Sequence, residues 1–138
     1  MMARFLGAAL LCTLTLTGAQ SAVAQSMEDE VKDMSWIGFQ QFKEVSRVLV
    51  RTTEPVKYKV DTSKPNLVTL ILENVNVPLK NNTRQLDTRF FDSPVRYIQP
   101  KVIEGPSPSV RIDIYLRRQV PFKEVQNDNV LSLDFQRQ

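Results

Sequence analysis

The stretch SRVLVRTTEPVKYKV, Ser46–Val60, reads as two short strands around a turn, and VRIDIYLRRQVPFKEV, Val110–Val125, repeats its order of branched, basic and aromatic residues. At an offset of 64 positions Arg47 falls on Arg111, Val48 on Ile112, Val50 on Ile114, Val56 on Val120, Tyr58 on Phe122 and Lys59 on Lys123. After a turn one residue shorter, Asn66 falls on Asn129, Val68 on Leu131, Leu70 on Leu133 and Leu72 on Phe135. Apolar residues meet apolar ones in register, which strand composition alone does not produce. A small sheet cannot shield its apolar side unaided, and two related halves laid face to face solve that for both. The expectation is an all-β fold: a sandwich of two small pseudo-symmetric sheets, one per half, with one short helical turn between the halves.

Period-two alternation predicts strands near 37–43, 46–52, 57–60 and 67–73, and again near 95–103, 110–117, 122–125 and 130–136. Pro65 and Asn66 break the chain before Leu67, and the run EGPSPS at Glu104–Ser109 cannot continue a sheet interior. The inward set is Val48, Val50, Val68, Leu70 and Leu72 in the first half. In the second it is Ile112, Ile114, Leu116, Leu131, Leu133 and Phe135. In the connector, Asp87 or Thr88 is placed to cap a helical turn through Arg89, Phe90 and Phe91, which Asp92-Ser93-Pro94 stops. Leu86 and one of the two phenylalanines then plug an end of the sandwich.

The first residues read as a leader. Arg4 marks a basic start, Phe5–Thr17 is apolar, and Ala22-Val23-Ala24 is a small-x-small cleavage signal. Residues 1–24 are therefore assigned to a secretory signal peptide, 25–35 to a flexible polar lead and 36–138 to one domain, so the mature protein is expected to be exported. The apolar run is too short to span a bilayer, so no membrane insertion is expected after cleavage. Loss of Arg4 takes the formal charge from +3 to +2, mildly basic and suited to an anionic polymer. No block of like charge is long enough for a nucleic-acid arm.

The sole cysteine, Cys12, leaves with the leader, and histidine is absent. Ser-His and Cys-His nucleophile pairs and the usual zinc sites cannot be assembled from such a chain. Neither a catalytic residue, a metal nor a cofactor is expected, and composition points to a binding module. With the branched residues inside, Arg47, Leu49, Arg51, Leu67 and Ile71 face outward in one half, and Arg111, Asp113 and Tyr115 in the other. Strand arginines offer a planar fork of donors to carboxylates, and tyrosines can stack on sugar faces. Leu49, Leu67 and Ile71 form an apolar outer stripe on the first half, covered by the linker around Phe90 or by a partner protein.

The exported context, the repeated RVLV…P-V-K-Y-K-V…NLVTLIL pattern and the connector LDTRFFDSPVRYI together resemble the AMIN domain, a module of periplasmic N-acetylmuramoyl-L-alanine amidases and type IV pilus secretins. The resemblance covers about Trp36 to Phe135. It implies a periplasmic location and paired β-sheets whose outer faces bind peptidoglycan and localise attached machinery. The matching positions are Arg47 and Arg111, followed by Arg51, Asp113 and Tyr115. The sequence thus predicts a non-catalytic module that binds the cell wall. The alternative is a protein–protein adaptor of a secretin, a pilus, a cell-wall amidase or another envelope complex, contacted through Leu49, Leu67 and Ile71.

Overall fold

Branched residues at alternate positions give each strand one apolar side, and those sides meet between two five-stranded sheets. The computed structural model describes residues 30–137; the expected leader lies outside them. The first half comprises β1 (Lys32–Gln41), β2 (Val45–Thr52), β3 (Tyr58–Asp61), β4 (Leu67–Glu73) and the two-residue β5 (Val75–Asn76). A 3₁₀ turn (Lys80–Thr83) and the short β6 (Leu86–Asp87) lead into β7 (Val95–Ile103), β8 (Ser109–Leu116), β9 (Phe122–Asn127) and β10 (Val130–Gln136).

The expected division of one sheet per half is corrected. β2 lies against β10 and β4 against β8, so one sheet runs β5-β1-β2-β10-β9 and the other β3-β4-β8-β7-β6. Each sheet is made from a hairpin of one half and a hairpin of the other. The physical reason is edge satisfaction: a lone hairpin leaves two rows of unpaired backbone groups, and joining hairpins across the halves removes one row from each. Alternation along a strand tells which side is apolar, not which strand lies alongside.

The duplication holds at the level of individual bonds. Arg47 is registered against Asp134 across β2 and β10, and the matched Arg111 against Ile71 across β8 and β4. Thr52 N–H donates to the Asn129 carbonyl at 2.9 Å, and Leu116 N–H donates to Asn66 at 2.9 Å, the same bond in the other copy. β1 and β7 carry irregularities at corresponding places, between Met34 and Trp36 and between Val95 and Tyr97. All eleven residues assigned inward are buried, Val50, Leu72, Ile112, Ile114, Leu133 and Phe135 completely. At the open side, the Tyr58 hydroxyl donates to Glu124 at 3.0 Å and the Gln126 amide to the Val56 carbonyl at 2.9 Å, tying the β3 edge to the β9 edge.

Two local expectations are also revised. β1 begins at Lys32, so the last residues of the supposed lead are strand, pinned by fully buried Met34 and by parallel pairing with β5. The connector forms no helical turn at Arg89–Phe91. β6 pairs with β7 up to Asp87, Thr88 N–H continues that ladder to Arg96, and Phe91 N–H closes a β-turn on Thr88. The chain is committed to a hairpin there, and the 3₁₀ turn sits at Lys80–Thr83 instead. Leu86 packs on the core as expected, and Phe91 touches Phe39 with ring centroids 5.2 Å apart.

Because both sheets need both halves, a chain restricted to β1–β5 is expected to show no cooperative unfolding transition by circular dichroism. In the intact protein Leu133→Ala, at a fully buried site, should cost about 2–5 kcal/mol in urea melts.

Candidate binding surface

Outward residues of neighbouring strands form rows across each sheet. On the β5-β1-β2-β10-β9 sheet one row runs Lys123, Asp134, Arg47, Gln40. Asp134 occupies the fork of Arg47, accepting from Nε at 2.7 Å and Nη2 at 3.0 Å. That bonding raises the already high guanidinium pKa, against a smaller cost of burial. The Arg47 guanidinium also lies 4.9 Å from the ring centre of Phe42. Two bonds to its own carboxylate leave this arginine little capacity for a foreign one.

The next rows contain Leu49 opposite Gly38 and Arg51 opposite Trp36. The Trp36 indole lies across Gly38 so closely that any side chain at 38 would collide with it, and the Arg51 guanidinium sits 5.9 Å from that ring. Leu49 keeps only 8% exposure beside this aromatic lid. The expectation that the linker around Phe90 covers it is corrected: Phe90 is 90% exposed. The apolar stripe is corrected too, because Leu49 lies on one sheet while Leu67 and Ile71 lie on the other.

The β3-β4-β8-β7-β6 sheet brings together Arg111, Asp113, Tyr115, Leu67 and Ile71. One row runs Lys59, Ile71, Arg111, Lys101, a second Asp61, Thr69, Asp113, Gln99, and a third Leu67, Tyr115, Tyr97. Ile71 stands where the other sheet has Asp134, so Arg111 has no carboxylate directly across the strand. It donates only Nε, to Asp113 at 3.2 Å, and its terminal nitrogens make no hydrogen bond among the described residues. Asp113 is buried and also accepts from the Thr69 hydroxyl at 2.9 Å; it holds the arginine in place from beneath. Tyr97 and Tyr115 stack at 4.4 Å, and burial, then Asp113, then Tyr97 raise the Tyr115 phenol above its usual 10.0. Beside Arg111 a recess of about 200 Å³ is lined by Asp61, Ser63, Lys64, Leu67 and Thr69.

The chain has no match among family models, curated proteins or solved structures. Its surface must be read from its own geometry. The face around Arg111 combines three cations in a row with a stacked tyrosine pair, and the sequence assigns neither Lys59, Lys101 nor Tyr97 to the site. A signal for Tyr97 existed: it matches Trp36 just after the β1 and β7 irregularities, at an offset outside the repeat's own register.

At one end of the sandwich the connector is firmly braced. Asp87 accepts from the Arg89 backbone N–H at 3.0 Å and from the Arg89 guanidinium at 2.8–3.2 Å. Buried Ser93 donates to buried Ser46 at 2.8 Å, and Thr88 donates to the Val95 carbonyl at 2.7 Å. Arg137 donates to the Asp92 carbonyl at 3.0 Å and to the Phe42 carbonyl at 2.8 Å, and Arg117 to the Arg89 carbonyl at 2.7 Å.

The side-chain and backbone bonds from Arg89 hold the Asp87 carboxyl below its ordinary 3.8. A depressed folded-state value means that its contribution is present above the unfolded pKa and fades as pH falls through the folded one. Carboxyl-carbon NMR titration should therefore give Asp87 a midpoint below 3.8, and Arg89→Ala should move that midpoint upward.

Proposed function

We propose that the chain is a non-catalytic, AMIN-like binding module of the periplasm that holds peptidoglycan on its β3-β4-β8-β7 face. The observation that carries this reading is Arg111, held by Asp113 with its terminal nitrogens unengaged, between Lys59 and Lys101 and beside the Tyr97–Tyr115 stack. Peptide stems of the wall bear carboxylates, for which a guanidinium supplies paired donors and a lysine a mobile charge. Sugar rings present apolar C–H faces and hydroxyls, which tyrosine matches with an apolar ring and a polar tip. Half-buried Leu67 and Ile71 add apolar contact within the same surface.

The leader-like N-terminus and the AMIN resemblance support the periplasmic setting. Arg47 and Arg111, the matching positions of the two halves, differ in their engagement, because Asp134 occupies the Arg47 fork. Arg51 stacks near Trp36 on that second face and has an auxiliary role here. The adaptor alternative no longer has its three-residue stripe, since those residues lie on opposite sides of the sandwich.

Exposed ion contacts contribute about 0–1 kcal/mol each, and a repetitive polymer raises their effect through avidity. Three lost cations then amount to about a tenfold loss of affinity. In co-sedimentation with purified sacculi, Lys59→Gln/Lys101→Gln/Arg111→Gln should reduce binding by about that factor, added salt should mimic the loss, and Arg47→Gln/Asp134→Asn should have little effect. Undiminished binding by the triple variant would sink the assignment.

A further inference from the structure

Three of the exposed large apolar side chains, Phe42, Phe90 and Phe91, gather at the connector end, where one guanidinium, that of Arg137, holds the carbonyls of both Phe42 and Asp92. Phe90 is the most exposed of the exposed large apolar side chains, at 90% against 59% for Leu79. A single exposed apolar side chain is ordinary on a protein surface. This one sits at the tip of a turn closed by Phe91 N–H on the Thr88 carbonyl, anchored by buried Thr88 and Ser93 and clamped by Arg117 and Arg137. Such bracing is not needed to hide the ring, because it leaves the ring in water. What it does achieve is a fixed presentation, which lowers the ordering cost of binding.

Charge narrows the occupant. Arg89 is neutralised by Asp87, and Asp92 is paired with Arg137. Exposed Arg96, whose carbonyl accepts from Thr88 N–H, and exposed Arg117, whose guanidinium rests on the Arg89 carbonyl, form no ion pair among the described residues. An aromatic anchor flanked by arginines is the composition of an interface hot spot. Phe42 lies under the Arg47 guanidinium and Phe91 packs on Phe39, so of the three rings only Phe90 projects fully, and one ring inserts too little apolar surface to hold a membrane. A second copy is a poor receptor, since the recess of about 630 Å³ beside Arg137 has Val45 as its one aliphatic side chain among Lys43, Glu44, Asp92, Gln136 and Arg137, and its cations would repel Arg96 and Arg117.

We propose that the connector is a protein-docking prong: Phe90 enters an apolar pocket of a partner protein, and carboxylates on the pocket rim meet Arg96 and Arg117. Arg96 lies over the Tyr97 ring, 5.7 Å from its centre, at the border of the wall-binding face, but Phe90 has no contact with that face among the described residues, so the loss of Phe90 and the loss of wall binding are distinguishable.

The test places the photo-cross-linker p-benzoylphenylalanine at position 90 of the full chain in the cells that make it, with position 79 as the exposed control. The captured protein is then purified and titrated against the wild-type chain, Phe90→Ala, Arg96→Ala and Leu79→Ala. The expected result is one adduct specific to position 90, binding weakened about thirtyfold or more by Phe90→Ala, severalfold by Arg96→Ala, and unchanged by Leu79→Ala. Phe90→Ala should leave the melting temperature and sacculus binding unaltered. Equal labelling from both positions, no adduct, a homodimer adduct, or Phe90-dependent co-sedimentation with phosphatidylglycerol vesicles would each overturn the proposal, as would undiminished binding by purified Phe90→Ala.

Discussion

The hydrogen-bonded junctions of β2 with β10 and β4 with β8 are the constraint from which the rest of the molecule follows. Each joins strands far apart in the chain, and each completes a sheet that neither half can complete alone. With those ladders in place, the aliphatic sides of all four central strands face one another and exclude water. Burial of apolar surface supplies the driving force, but backbone pairing across the halves determines which surfaces meet. The matched bonds from Thr52 to Asn129 and from Leu116 to Asn66 close the same corner in both copies.

Duplication of a backbone does not duplicate a surface. The position across the strand from the repeated arginine is Asp134 on one sheet and Ile71 on the other. That difference turns one guanidinium into an internal ion pair and leaves the other with nitrogens to offer. Position 49 and its counterpart 113 diverge in the same sense: Leu49 is sheltered beside Trp36, while Asp113 becomes the buried support of Arg111. Twofold symmetry governs the core, where volume must be matched, and lapses outside, where each face is free to acquire its own chemistry.

Much of this was legible in the residues. Strands Leu67–Glu73, Val95–Ile103 and Val130–Gln136 lie where alternation placed them, because a two-residue period with one wet side has few other solutions. The eleven inward residues followed from the same argument. Partnership between strands did not, since either arrangement buries the same side chains. β5 and β6 are two residues each, too short to carry a period. Residue type also misled at Phe90: aromatic character argues for burial, and only the pattern of bonds around the connector reveals that the ring is held outside.

The position of β10 in the middle of its sheet, between β2 and β9, has a consequence for synthesis. A ribosome delivers β1 and β2 early, yet β2 keeps an open edge until the last strand of the described chain emerges. Over that interval an apolar ribbon waits with its backbone unsatisfied, the condition in which strands recruit neighbouring molecules. Closure then joins β2 to a strand about eighty residues further on, a long-loop event that is intrinsically slow, and the nascent domain is best served by being kept unfolded until β10 has emerged.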